Sequence, residues 1–208
     1  TGVNELTLYY IKRSDLNYKV NYIEKGTNNV IKAQKIVNGM IYKEEVITED
    51  EVVQIDGYNF DSVDKEKIII GTGENVINLY YTRRGDLSYI VNYLEKGTNK
   101  EITGSKTVEN MTFGAEVESK NDVIEVYGYN FDSADKETLT ITTGENVINL
   151  YYIKKDTKVT VHYYEENSTT KVSNDVVIPG KVFDRYEAVP AGDVASKYEL
   201  VGVPENAT

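Results

Sequence analysis

The chain has 208 residues, with 34 acidic against 23 basic side chains and a formal net charge of −11. Such a charge repels phosphate backbones, so no nucleic-acid binding is expected. Cysteine is absent and no run of 18 apolar residues occurs, so we expect no disulfide, no thiolate metal site, no cysteine nucleophile and no membrane insertion of this segment.

An internal repeat divides the chain. TGENVINLYY begins at Thr72 and returns unchanged at Thr143, 71 residues later, and GYNFDS begins at Gly57 and again at Gly128. A fixed period of this length indicates tandem copies of one structural unit. The predicted boundaries are residues 1–14, the closing strand of a preceding repeat with a linker; 15–85, repeat 1; 86–156, repeat 2; and 157–208, repeat 3, truncated at its C-terminal end.

The first strand of each repeat is marked by alternation of apolar and polar residues. Between residues 18 and 24, Tyr18 and Tyr22 alternate with outward-facing neighbours, and Tyr89 and Tyr93 hold the same positions in repeat 2. Period-two alternation is typical of a strand with one buried face. These four tyrosines are therefore predicted to lie in the core.

Turn and strand signals follow along the chain. Gly26–Asn29 is rich in turn-forming residues and predicts a hairpin into a strand at Ile31–Val37. Residues 40–53 leave three alternatives open, namely a strand, a bent strand or one short helix, and their β-branched content favours extended structure. Further strands are predicted at Ile68–Ile70 and Asn75–Tyr81. The sequence thus predicts a mainly β fold, β-rich α+β in class.

The segment NFDSxDKE occurs at Asn59–Glu66 and again at Asn130–Glu137. The spacing of its oxygen-bearing side chains could hold calcium, although the glycine and glutamate of an EF-hand loop are missing. The alternative is an Asx turn, or a helical turn through Lys65 capped by Asp61 or Ser62. The candidate calcium ligands are Asn59, Asp61, Asp64, Glu66, Asn130, Asp132, Asp135 and Glu137. No other cofactor is expected.

Tyrosine doublets recur at Tyr9-Tyr10, Tyr80-Tyr81 and Tyr151-Tyr152. Because side chains alternate along a strand, each doublet must send one ring to either face of its sheet. The outward ring either packs against the next repeat or contacts a ligand, since tyrosine joins an apolar ring to a polar tip.

Arg84-Gly85-Asp86 spells the integrin-recognition tripeptide in a linker. The equivalent residues of repeat 1 are Arg13-Ser14-Asp15, so the tripeptide is not kept between copies. A turn in which glycine supplies backbone freedom is the favoured interpretation.

Repeat 3 carries a family resemblance. Its VTVHYY strand, V-x-I-P-G-K-V turn and YELVGVPENAT segment resemble the mucin-binding protein (MucBP) repeat of bacterial surface adhesins. The residues that carry it are Val159, Val161, His162, Tyr163, Gly180, Phe183, Tyr186, Tyr198, Leu200, Gly202, Pro204, Asn206 and Ala207. The earlier copies keep the Gly57-Tyr58 and Gly128-Tyr129 pairs but have NFDS in place of VPENA. The resemblance implies tandem β-grasp-like, ubiquitin-related modules in an elongated rod on a cell-wall-anchored protein.

Catalysis is not expected from this sequence. The single histidine, His162, lies between Val161 and Tyr163, so strand alternation sends it outward as a solvated residue rather than a general base. No nucleophile elbow, HExxH motif or Walker loop occurs. We interpret the chain as a non-enzyme.

Two functions follow from the array and the resemblance. The leading hypothesis is a Gram-positive, extracellular adhesin segment that binds mucin or host glycoprotein weakly at many sites, anchored to the cell wall outside these residues. The alternative is a non-binding stalk that spaces a distal adhesive or enzymatic domain from the wall. Candidate ligand-binding residues are Tyr58, Phe60, Tyr129, Phe131 and Tyr198. The leading strand at residues 1–10 could also pair with repeat 3 of another molecule, a head-to-tail strand exchange.

Overall fold

The computed structural model describes residues 2–187 and 189–202. Pro204, Asn206 and Ala207, which belong to the MucBP-like pattern, lie outside the described residues, as does Thr1 of the leading segment. By their contacts the described residues form two compact units. Of the described residues, unit 1 contains 2–89, 108–116 and 140–146, and unit 2 contains 90–107, 117–139, 147–187 and 189–202.

The described chain is built mainly from strands. In chain order these are β1 (Leu16–Glu24), β2 (Val30–Met40), β3 (Glu45–Ile47), β4 (Tyr58–Val63), β5 (Lys67–Ile69), β6 (Val76–Arg83), β7 (Leu87–Glu95), β8 (Glu101–Met111), β9 (Glu116–Glu118), β10 (Tyr129–Ala134), β11 (Thr138–Thr140), β12 (Val147–Lys154), β13 (Asp156–Val161) and β14 (Val176–Lys181). Two 3₁₀ helices, Thr48–Glu51 and Ser119–Asp122, follow β3 and β9. The predicted mainly β fold is confirmed.

Repeat 1 forms a four-stranded mixed sheet with the order β2-β1-β6-β4. β1 pairs with β2 in an antiparallel hairpin, as the turn at Gly26–Asn29 predicts, and with β6 in parallel. β4 pairs antiparallel with β6 and forms an edge of the sheet. A short second sheet pairs β3 with β5. Because β1 and β6 are central, their alternating faces carry the core.

The core of repeat 1 follows the alternation read from its sequence. Tyr18 and Tyr22 are 5% and 1% exposed, and Tyr81 from β6 is 1% exposed. They form one cluster with Leu16 and Val20 of β1, Ile77 and Leu79 of β6, Ile68 of β5 and Ile70, which follows β5. Burial of so much apolar surface is the main source of stability for a module of this size. The prediction of core tyrosines is confirmed.

The segment between β2 and β4 resolves an ambiguity. It contains the short strand β3 and the 3₁₀ helix Thr48–Glu51, a mixture of the alternatives considered for residues 40–53. The helical turn proposed to start at Asp61 or Ser62 is wrong, because NFDSV belongs to β4. Pairing of β4 with β6 satisfies the backbone groups that a helical turn would have satisfied internally.

Repeat 2 has the same strand order, β10-β12-β7-β8, with β7 and β12 parallel. Tyr93 and Tyr152, which lie in unit 2, are 2% and 1% exposed. In repeat 3 the structure shows one antiparallel pair, β13 with β14. Residues 2–15 contain no strand, and Tyr9 and Tyr10 are both exposed, so this doublet does not send one ring to a buried face. The strand exchange expected of the leading segment stays a prediction. Among the described residues no helix has the length and apolar character needed to cross a membrane.

Candidate functional site at the repeat junctions

The glycine-tyrosine pair of repeat 1 lies where the chain passes into repeat 2. Within unit 1, the backbone N–H of Arg84 donates to the Gly57 carbonyl at 2.9 Å, and the N–H of Phe113 donates to the Arg84 carbonyl at 2.8 Å. We call Gly57, Tyr58, Arg83, Arg84 and Phe113 the first junction. Its backbone bonds tie the linker to residues on both sides.

A glycine is required at position 57 for two reasons. Its φ of +77° lies in the left-handed region, and a Cβ there would overlap the ring of Phe113. The Tyr58 ring meets the same Phe113 ring edge-on, with centroids 5.7 Å apart. Tyr58, a candidate ligand-binding residue, therefore contacts the neighbouring repeat.

The second junction, formed within unit 2 by Gly128, Tyr129, Lys154, Lys155 and Phe183, repeats the arrangement. The Lys155 N–H donates to the Gly128 carbonyl at 2.8 Å, and the next repeat returns a backbone N–H to the Lys155 carbonyl at 3.0 Å. Gly128 has a φ of +80°, and a Cβ there would lie 2.5 Å from the Phe183 ring. Tyr129, another ligand candidate, packs on Phe183 with centroids 5.7 Å apart.

The aromatic partner enters the second junction differently. At the first junction Phe113 supplies both the N–H donor and the ring. At the second junction Val182 supplies the donor, and the next residue, Phe183, supplies the ring from a backbone φ of 67°. A bulky residue in that region is an outlier that surrounding contacts must stabilise.

The side chains around the two junctions are paired differently. Arg83 donates through Nε to Glu24 Oε1 at 2.6 Å, and Thr27 and Asn29 also donate to this carboxylate. The hydrogen bond from Arg83 is the main reason that the pKa of Glu24 lies below its ordinary value. This carboxylate is thus buried and matched to an arginine.

At the second junction the corresponding carboxylate, Glu95, accepts a hydrogen bond from the Tyr129 hydroxyl at 2.8 Å. Burial and this bond raise the pKa of Tyr129. Lys154, the counterpart of Arg83, instead forms an ion pair with Asp184 at 3.1 Å. A cavity of about 760 Å³ opens here, lined by residues that include Glu95, Tyr127, Tyr129 and Phe183.

Phe60 and Phe131, also ligand candidates, lie on the edge strands β4 and β10. They are 40% and 41% exposed, and each ring packs edge-on against a core tyrosine, Tyr81 and Tyr152 respectively. Phe131 also lines a cavity of about 400 Å³ with Ser133 and other residues of unit 2. These two rings are more exposed than those of Tyr58 and Tyr129, which are half-buried.

Tyr198, the remaining ligand candidate, lines a cavity of about 540 Å³ in repeat 3 together with His162 and Tyr164. His162 is exposed, as strand alternation predicts, and its Nδ1 lies 2.9 Å from Asp175 Oδ1. Sequence reasoning did not foresee this partner, which is 13 positions away and reaches the histidine only through the folded turn.

The candidate calcium ligands are distributed along β4, β10 and the turns after them. Asp61 forms an ion pair with Lys25 at 2.5 Å, and Asp132 does so with Lys96. Asp64 accepts hydrogen bonds from Asn78, and Asp135 accepts the equivalent bonds from Asn149. The other four candidates, Asn59, Glu66, Asn130 and Glu137, have exposed side chains. Across residues 2–187 and 189–202, no group of three or more His, Asp or Glu side chains is arranged to hold a metal. The calcium site stays a prediction.

The Arg84-Gly85-Asp86 tripeptide is closed on itself. Arg84 donates twice to the Asp86 carboxylate, at 2.9 Å each, and Arg13 makes the same bidentate contact with Asp15. Both pairs lie in linkers ahead of a first strand. The arginine and aspartate therefore satisfy each other within the linker turn.

Sequence reasoning missed Phe113 and Tyr127, and it singled out Phe183 only for the family resemblance and not as a junction residue. A signal was present, because the chain contains only four phenylalanines and two of them are these junction rings. A rare large apolar residue outside the alternating strands indicates a contact that the strand pattern does not explain.

A scan against protein-family models finds no match, and a search of curated proteins finds none. Among solved structures, the chain is similar to the crystal structure of Mub-RV, with 15% identity over 67% of this chain and 99% of that one, at a TM-score of 0.25.

Two further solved structures are similar to a comparable degree. Streptococcal High Identity Repeats in Tandem (SHIRT) domains 3-4 from a cell surface protein show 14% identity over 66% of this chain and 98% of that one, at a TM-score of 0.24. The type 2 repeat of the mucus binding protein MUB from Lactobacillus reuteri shows 12% identity over 67% and 100%, at 0.25. With TM-scores below 0.5, these likenesses carry no inference about what this chain binds.

Proposed function

We propose that this chain is a tandem-repeat segment of an extracellular bacterial surface protein, in which docking between successive repeats serves a structural, spacing role. One observation carries the proposal: the same junction forms twice. In both cases a left-handed glycine accepts a linker N–H, and the following repeat covers that glycine with an aromatic ring.

The residues that recur between copies support this role. Gly57-Tyr58 and Gly128-Tyr129 are kept at the 71-residue period, and both tyrosines contact a phenylalanine of the next repeat. A spacer needs its cores and its junctions, and these are the elements that the two copies share. The resemblance of repeat 3 to MucBP repeats supports placement on the surface of a Gram-positive cell, with wall anchoring outside these residues and modules of the β-grasp type.

The docking role can be tested by calorimetric unfolding of the whole chain. Because Phe113 packs on Gly57 and Tyr58, we expect repeat 1 and repeat 2 to unfold in one coupled transition, and Phe113→Ala to split it. Loss of a packed phenylalanine of this kind costs about 3 kcal/mol.

Phe60→Ala is the matched control, since it removes a phenylalanine of repeat 1 that lies outside the junction. It should lower the melting temperature without separating the transitions. Two transitions in the unaltered chain, or an unchanged thermogram for Phe113→Ala, would contradict the docking role.

A second function, weak multivalent binding of mucin or another host glycoprotein, is favoured by the exposed aromatic rings. Phe131 and Tyr198 each line a cavity, and repeated weak sites on one chain gain avidity. Binding of the intact chain to immobilised mucin by surface plasmon resonance tests it. A response equal to that on a deglycosylated mucin surface would contradict glycan binding and leave spacing as the remaining proposed function.

A further inference from the structure

The two junctions differ at two positions that face the same space. Asp56 and Arg83 at the first junction are replaced, 71 residues later, by Tyr127 and Lys154 at the second. At the first junction Asp56 accepts a hydrogen bond from Thr143 Oγ1 at 2.8 Å, and Arg83 reaches the buried Glu24. Both polar side chains are therefore committed to partners within unit 1.

At the second junction the replacements leave room. Lys154 turns to Asp184, so no arginine covers the carboxylate of Glu95. Tyr127 is 87% exposed, and its ring rests edge-on against Phe183 with centroids 6.1 Å apart. The cavity of about 760 Å³ lies between these groups and the start of β8. An exposed ring that is held at one edge presents a fixed apolar face.

The polar groups of this cavity are of both signs. Its lining includes the acidic residues Glu95, Glu101 and Glu125 and the basic residues Lys100 and Lys154, of which Lys154 also pairs with Asp184. Three acceptors and two cationic donors disfavour a strongly charged ligand of either sign, because each charge would meet a like charge. A neutral ligand with many hydroxyl groups can donate to the carboxylates and accept from the lysines.

We infer that this cavity, which we call the junction pocket, binds a neutral pyranose unit of an oligosaccharide, with the sugar face on Tyr127 and its hydroxyls on the surrounding glutamates and lysines. The volume lies in the range of natural small-ligand sites, about 300–1,000 Å³. The net charge of −11 further disfavours sialylated or sulfated sugars. The inference deepens the glycoprotein-binding part of the proposed function and rests on it.

The test is saturation-transfer-difference NMR on the intact chain with N-acetyllactosamine, a neutral disaccharide. Tyr127→Asp gives the second junction the residue that the first junction has. Because it removes the sugar platform, we expect about tenfold weaker binding. Lys154→Arg should also weaken binding, by letting a guanidinium reach Glu95 as Arg83 reaches Glu24.

Tyr9→Asp is the matched control, because Tyr9 is 91% exposed and lies outside the pocket; it should bind as the unaltered chain does. Unchanged melting temperatures separate a lost site from a lost fold. Full saturation transfer from the Tyr127→Asp protein to the disaccharide, no transfer from the unaltered chain, or equal transfer from the unaltered chain to 3′-sialyl-N-acetyllactosamine would each overturn the junction pocket. None of these outcomes bears on the docking role, which is measured by unfolding alone.

Discussion

The first and second junctions share a backbone and differ in the side chains placed on it. Each has a left-handed glycine, a linker N–H donated to that glycine and an aromatic ring above it. Around this frame, the first junction pairs Glu24 with Arg83, whereas the second pairs Glu95 with Tyr129 and turns Lys154 toward Asp184. The two junctions thus share the packing of a ring on a glycine, whereas the charge pairs around it differ.

The largest expected effect tests the packing of a ring on a left-handed glycine, which both junctions share. Gly57→Ala places a Cβ both in a left-handed conformation and against the Phe113 ring, so we expect it to lower the free energy of unfolding by about 3 kcal/mol. Urea denaturation followed by circular dichroism measures the loss.

Gly26→Ala provides the matched control, since Gly26 has a φ of +85° with nothing within 4 Å of the added Cβ. It should lower the free energy of unfolding by about 1 kcal/mol, which is the cost of placing alanine in the left-handed conformation without any steric overlap. In the double variant with Phe113→Ala the excess cost of Gly57→Ala should disappear. Equal losses of unfolding free energy for Gly57→Ala and Gly26→Ala would mean that contact with the Phe113 ring is not the reason for a glycine at position 57.

A smaller effect tests a bond that both repeats form beneath the junction. The Tyr81 hydroxyl donates to the Val53 carbonyl at 2.9 Å and accepts from the Val53 N–H at 3.2 Å. Tyr152 makes the same pair of bonds with Ile124. Tyr81→Phe leaves the backbone groups of Val53 unsatisfied and should cost about 1.5 kcal/mol in unfolding free energy.

Tyr152→Phe should cost the same amount if the two repeats are equivalent at this level. Tyr80→Phe, on the adjacent ring of the opposite face, is the reference for loss of a hydroxyl. Unequal losses of unfolding free energy for Tyr81→Phe and Tyr152→Phe, measured by urea denaturation, would show that this bond does not contribute equally in the two repeats.

The smallest expected effect tests the difference in charge pairing between the two junctions. The pKa of Glu24 is lowered in the folded chain, first by its hydrogen bond from Arg83, from an ordinary value of 4.5. A carboxyl with a depressed folded pKa stabilises the fold above its unfolded pKa, and this contribution is lost as pH falls through the folded pKa. The melting temperature should therefore fall as pH drops below about 4.5.

Glu24→Gln should flatten that acid-side decline, and Arg83→Lys, which gives the first junction the residue of the second, should reduce it. Melting curves between pH 7 and pH 3 measure both. An acid-side slope that is identical in Glu24→Gln and the unaltered chain would show that other carboxylates dominate the pH dependence.

Much of the fold could be predicted because its signals are local. Alternation in residues 18–24 placed Tyr18 and Tyr22 in the core, and the turn at Gly26–Asn29 placed the hairpin. The structure of the NFDS segment was harder to predict, because Asp61 and Ser62 are typical both of a helix cap and of an exposed edge strand. Pairing with β6, which is distant in sequence, decided between the two.

The candidate site could be predicted only in part. Gly57-Tyr58 was visible as a repeated pair, but its partner Phe113 lies 55 positions beyond Tyr58, and nothing local connects them. The sequence predicts ligand contacts for Tyr58 and Tyr129, which stays a prediction, but it does not predict that each ring packs on a phenylalanine of the next repeat. The direction of an outward ring depends on the neighbour that meets it, and that neighbour belongs to another repeat.

The repeat period, the mainly β content and the buried face of each first strand can be predicted from the sequence, because they depend on spacing along the chain. The glycines that are covered by rings, the pairing of cations with carboxylates and the position of the cavity are visible only in the folded chain. Those outcomes depend on side chains that approach from distant residues, and a change from Arg83 to Lys154 alters them without disturbing any local pattern.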